Sequence, residues 1–155
     1  MDLKIYEVDF DDESHRESLT KIIDAYAREP GGQNAPLSGR ARRELAHGLA
    51  EHPSAFALLA HVEGRAVGAA VCFWGFSTFA GQPSLNLHDF AVLPGFRGRG
   101  VGQGLLDAVE ERARGRGCCK ITLEVHDSNE RAKALYRRCG FGPWDPATRF
   151  ITKPL

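Results

Sequence analysis

The chain has 155 residues, 43% of them hydrophobic and 26% charged, with 20 basic side chains balancing 20 acidic ones. That length can bury a core without disulfides or metals, and the composition excludes a disordered or fibrous chain. A net charge of zero offers no bulk attraction to nucleic acid or any other polyanion and leaves room only for a local basic site for phosphates; one domain spanning residues 1–155 is expected.

Residues 3–8 alternate apolar and polar side chains and predict a first strand. Ser14 followed by Glu17 reads as a capping box for a helix to about Arg28, which Glu29-Pro30-Gly31-Gly32 stops. Ser38 caps a second helix packed through Ala46, Leu49 and Ala50 and ended near Pro53. Residues 54–61 and 65–76 form a predicted hairpin whose turn is Glu63-Gly64. A loop through Gly81-Gln82-Pro83 precedes a strand over 85–93, closed by Pro94-Gly95. From 101 to 114, Leu105, Leu106, Ala108, Val109 and Ala113 recur at helical spacing, with Gly115 and Gly117 at the end. A strand over 120–125, a helix capped by Ser128 or Asn129 and ended by Gly140, and a last strand near 149–152 complete the order. Strands and helices in this succession predict a mixed α/β architecture, a mixed sheet covered on both faces.

Cys72, Cys118, Cys119 and Cys139 have no C-x-x-C spacing, so reduced thiols are expected and no metal site is. Met1 is followed at once by polar residues and no stretch approaches a membrane span, so a cytoplasmic protein with no membrane partner is expected. Acids gather early, at Asp9, Asp11, Asp12 and Glu13, and arginines late. Apart from Arg97 and Arg99, these charges read as solvated surface.

The chemistry concentrates in Arg97-Gly98-Arg99-Gly100-Val101-Gly102, between a strand and a helix. Backbone N–H groups there can point at an anion on the helix N-terminus, pyrophosphate above all, and glycines let it approach. Arg97 and Arg99 add charged donors. A P-loop would need Lys-Ser or Lys-Thr where Val101-Gly102-Gln103 stands. A dinucleotide fingerprint would need G-x-G-x-x-G, whereas Gly98, Gly100, Gly102 and Gly104 recur at every second position.

The segment instead resembles the acyl-CoA signature of the GNAT superfamily: Arg97, Gly100 and Gly102 fill its fixed positions, and Leu87-His88-Asp89-Phe90-Ala91-Val92 is similar to the strand that leads into it. Asn129, Ala132, Leu135-Tyr136 and Gly140-Phe141 are similar to a second motif of that family. The resemblance covers about residues 85–141 and implies a central, mostly antiparallel mixed sheet with helices on both faces, acetyl-CoA as cosubstrate without a metal, and acetyl transfer to an amine. It further implies that Phe90, Ala91 and Val92 face the thioester and the pantetheine arm, that the turn from Arg97 through Gly98, Arg99, Gly100 and Val101 to Gly102 holds the pyrophosphate, that Asn129 contacts the cofactor arm, and that Tyr136 is the general acid. A homodimer is a further implication.

Residues 76–90 look like the diamine and spermidine acetyltransferase branch, which has a carboxylate where His88 stands. His88 is therefore either the base that takes the amine proton or a structural histidine. Asp89 is expected on the opposite face of a regular strand. Asn129 has the alternative role of helix cap, and Tyr136 that of core side chain. A small-molecule primary amine is the favoured acceptor, with a protein or peptide acceptor and a non-catalytic acyl-CoA sensor as the competing readings.

Overall fold

Along β2 (Ala55–Val62) the run from Phe56 to Ala60 is buried without a break, as happens when both faces of a strand are covered. The computed structural model describes residues 1–145 and 147–155. Its elements are β1 (Leu3–Glu7), α1 (Glu13–Ala27), α2 (Gly39–Glu51), β2, β3 (Arg65–Ser77), β4 (Gln82–Val92), a 3₁₀ turn (Pro94–Phe96), α3 (Val101–Gly115), β5 (Ile121–Leu123) and α4 (Glu130–Arg138). The strands form one sheet in the order β1-β2-β3-β4-β5, antiparallel except for the parallel β4–β5 pair. The mostly antiparallel mixed sheet is thus as expected.

Alternation along the strands divides the core in two. Leu58, Ala70, Cys72, Leu85 and Leu87 turn to one face and pack with Val101, Leu105, Leu106 and Val109 of α3 and Tyr136 of α4. Ala57, Leu59, Ala69 and Val71 turn to the other and pack with Leu19, Ile22 and Ile23 of α1. Fully buried leucines such as Leu19, Leu58 and Leu105 each contribute about 1.5–3 kcal/mol relative to exposure. Asp24 joins α1 to the start of α2: its Oδ1 accepts from Leu37 N at 2.9 Å and Arg42 at 3.0 Å, and its Oδ2 from Arg28 Nε at 3.0 Å.

Four expectations are corrected. Asp12, not Ser14, caps α1, accepting from His15 N at 3.3 Å, which places Ser14 inside the first turn. The predicted loop at 81–83 is shorter, because β4 begins at Gln82 and Pro83 already lies opposite Phe76. β5 spans only Ile121–Leu123 because its pairing with β4 stops at Leu87↔Leu123. Residues 149–152 form no strand; Phe150 and Ile151 are exposed, and β propensity without a neighbouring ladder does not make one. No helix among the described residues is long and apolar enough to cross a membrane.

Candidate active site

β4 determines the site, and it is not a regular strand. Val71 lies opposite Asp89 and Cys72 opposite Leu87, so His88 is an extra residue, a β-bulge. Leu87 and Phe90 therefore both pack on the α3 face although they are three residues apart. His88 and Asp89 both turn to the α1 face: the His88 ring meets Phe73 edge-on at 5.1 Å, Phe73 belongs to the α1-side cluster, and Asp89 lies opposite Val71 of that cluster. The expected separation of the two side chains fails because the bulge resets the alternation.

Past the bulge, β4 loses β5. Their register covers Leu85↔Ile121 to Leu87↔Leu123 and no more. On the β3 side, Leu93 N donates to Val67 O at 2.8 Å, so the period of two turns Ala91 toward β3 and Phe90 and Val92 toward the open side. Val92 O is taken by Arg97, whose Nε donates to it at 2.7 Å.

The glycine turn follows directly. Gly98 and Gly100 have φ of +69° and +84°, and a Cβ on either would meet nothing within 4 Å. Gly100 caps α3 without a side-chain bond, and the first amide to close on the helix is that of Gly104, onto Gly100 O at 3.0 Å. Among the described residues the amides of 98–103 thus have no protein acceptor, and they lie at the N-terminal end of α3, where the helix dipole is positive. Arg99 and Arg65 both lie over the Phe96 ring, 5.5 Å from its centroid, so two guanidinium groups border the turn. Unpartnered amides, open space at the glycines and flanking cations fit a diphosphate. Gly102 serves packing: a Cβ there would stand 3.0 Å from Leu135 Cδ2, so α4 sits tightly on the first turn of α3.

That packing brings Tyr136 to the turn. It is 5% exposed, between Phe90 at 6.0 Å and Phe141 at 5.6 Å. Burial pushes its phenol well above the ordinary value, with Tyr26 and Cys139 adding to the effect, so it holds its proton at neutral pH. The one sealed side-chain polar atom lacking a partner among the described residues is His61 Nδ1. The Tyr136 hydroxyl, which no protein group engages, is therefore not walled off. Asn129 caps α4, its Oδ1 accepting from Ala132 N at 3.1 Å, while its Nδ2 faces Gly31, 3.3 Å from where a Cβ would stand.

Sequence reasoning passed over Tyr26 and Arg65, read Glu29 only as part of a helix stop, and gave Asp89 no role at the site. Tyr26 Oη donates to Gly31 O at 2.8 Å, and burial followed by the charges of Asp89 and Glu29 raises its phenol. Burial also raises the Asp89 carboxyl, with His88 opposing. Glu29 accepts from Arg97 at 2.6 Å. The signal at Asp89 was the dipeptide His88-Asp89 itself, which puts two titratable groups into a strand that has no others.

A bulged β4 that parts from its neighbour and runs into an amide-lined turn defines the class. The acetyltransferase (GNAT) family model matches residues 17–141, and the chain belongs to that family of acetyltransferases. Within it the chain is similar to thialysine N-epsilon-acetyltransferase from Mus musculus, 33% identical over 61% of this chain and 60% of that protein. The Bos taurus protein of the same name is 36% identical over 48% of this chain and 43% of that one. The alignments thus span about half the length of these relatives. The fold is shared with the aminoglycoside acetyltransferase AAC(6')-Iy in complex with a CoA bisubstrate analogue, at TM-score 0.78 and 19% identity over 99% of this chain and 100% of that one.

Proposed function

We propose that the chain transfers the acetyl group of acetyl-CoA to a primary amine of a small molecule by direct attack on the thioester. The observation that carries this reading is the set of unpartnered amides at 98–103, opening beside the free edge of β4 and the protonated Tyr136. Thialysine, the substrate in the name of the mouse and bovine relatives, supports a small-molecule acceptor.

The amides of 98–103 would hold the diphosphate, with Arg99 and Arg65 balancing its charge. Phe90 and Val92 turn main-chain groups to the open edge, where an amide can donate to the thioester oxygen as charge grows on it. Bound there, acetyl-CoA supplies an acyl carbon open to a neutral amine. The amine nitrogen bonds to that carbon, and the C–S bond breaks. Tyr136 gives its proton to the departing sulfur and regains one from solvent. His88, exposed on the α1 face, takes the amine proton directly or through water, and Asp89 beside it favours a cationic acceptor.

A panel of thialysine, diamines, polyamines, aminoglycosides and lysine peptides, read by free-thiol release and product mass, tests the proposal. Release with a small amine is expected. Turnover confined to peptides would make this a protein acetyltransferase, and CoA binding without thiol release across the panel would make it a sensor.

A further inference from the structure

Arg97 heads the glycine turn, yet its guanidinium is directed elsewhere. Nε donates to Val92 O at 2.7 Å and NH2 to Glu29 Oε1 at 2.6 Å, with the two side chains only 20% and 27% exposed. Glu29 stands just beyond α1, in a segment, residues 26–32, that reaches every other part of the site. Tyr26 is near enough to Tyr136 for its charge to raise the Tyr136 phenol. Gly31 lies against Asn129 Nδ2, and the charges of Asp89 and Glu29 both reach the Tyr26 phenol.

The segment is stiff within itself. Tyr26 Oη holds Gly31 O at 2.8 Å, Gly32 N donates to Glu29 O at 2.9 Å, and Gln33 N to Ala27 O at 2.9 Å. A Cβ on Gly32 would run into Tyr26 O and, at 2.8 Å, Ala27 Cα, so the turn folds flat on the end of α1. Among the described residues, the segment's one ion pair to a part of the chain beyond α1 is that of Glu29 with Arg97.

We infer that Arg97 is a positioning residue: through Glu29 it latches residues 26–32 to the C-terminal end of β4, so that the phosphate turn and the acceptor-side wall are held as one unit. Val92 O and Glu29 are the two ends of the latch, and phosphate charge falls to Arg99 and Arg65. The inference rests on the reading of 98–103 as the cofactor turn, and makes CoA binding and acceptor binding interdependent.

Hydrogen exchange on the whole protein, with CoA as the probe, tests it. Without ligand, Glu29→Ala should speed exchange of the amides of residues 29–35 by about tenfold, the loss of one charged hydrogen bond, and leave α3 unchanged. Glu29→Gln, which keeps a bond but not its charge, should fall between Ala and wild type. CoA should slow exchange of 29–35 in wild type and fail to do so in Glu29→Ala, although that variant still binds it. With thialysine as acceptor, Glu29→Ala should raise the KM for the amine several-fold with kcat little changed, a split that simple loss of folded protein does not produce. Wild-type exchange at 29–35 in unliganded Glu29→Ala overturns the latch. Failure of wild type to bind CoA would instead overturn the cofactor reading, and the unliganded comparison would still decide the latch.

Discussion

Substituting Gly100 by Asp tests the phosphate cradle with separable costs. Gly100 caps α3 at φ +84°, and its missing Cβ would project into open space. The fold therefore loses only the left-handed backbone preference, about 1–2 kcal/mol and least for Asp and Asn among side-chain-bearing residues. At this chain length that lowers the melting temperature by about 2–8 °C. Binding should suffer more. A carboxylate about 5 Å from a phosphate charge, at an effective dielectric of about 20, costs roughly 3 kcal/mol, or about a hundredfold in Kd. Calorimetry with CoA at low salt measures it, and added salt should narrow the difference. Gly115→Asp is the control: it is the last residue of α3, has no positive φ and meets nothing within 4 Å. Fifteen residues of helix put it about 22 Å away, where the same Coulomb interaction is only about a quarter as large. A folded Gly100→Asp variant with CoA affinity within a few-fold of wild type would refute the cradle.

Tyr136→Phe should keep the packing against Phe90 and Phe141, and most CoA affinity, while kcat falls about 10²- to 10⁴-fold; an unchanged kcat would remove the general acid. Asp24→Asn should destabilise at neutral pH. The Leu37 amide, then Arg28 and Arg42, hold the Asp24 carboxyl below its usual range against burial, so its stabilisation is present above the unfolded carboxylate value and lost as pH falls through the folded one. Asp89→Asn should do the reverse. Burial holds the Asp89 carboxyl high, so wild-type stability drops as pH rises from the unfolded value through the folded one, and the Asn variant should be the more stable above that window and converge with wild type in acid. Urea midpoints from pH 3 to 8 check both signs, and a pH-independent difference would contradict either assignment.

Local signals made most of the fold legible. Ser38 before the second helix, Glu63-Gly64 between the hairpin strands and the 3.6-residue recurrence of Leu105, Leu106 and Val109 each act within a few residues, and the elements they predict are present. Apart from the Asp12 cap, what was missed depends on pairing between distant segments. The bulge at His88 is a shift of register between β3 and β4, which no window on β4 contains. The short β5 and the unpaired 149–152 likewise follow from where partners run. At the glycine turn the residue types announced an anion, but Arg97 is held by Glu29, 68 residues away, so its sequence position next to the glycines does not reveal where its charge is used.

The bulge also explains how one strand can serve both substrates. In a regular β4, residues 87 and 89 would share one face and 88 and 90 the other, so an apolar Leu87 facing α3 would carry Asp89 into the core with it. One inserted residue lets Leu87 and Phe90 both stay with α3 and Tyr136, while His88 and Asp89 both face Tyr26 and α1. The same irregularity falls where β4 parts from β5, freeing the edge that leads into the glycine turn. On the proposed reading, apolar support for the acyl donor and titratable groups for the amine are thereby placed on opposite faces of four consecutive residues, Leu87 to Phe90. Acceptor identity, on the same reading, belongs to the α1 face, where residues 26–32 and His88-Asp89 lie. The motifs that identify the family lie in the turn and α4, which is why they fix the donor side and leave the amine to be found by assay.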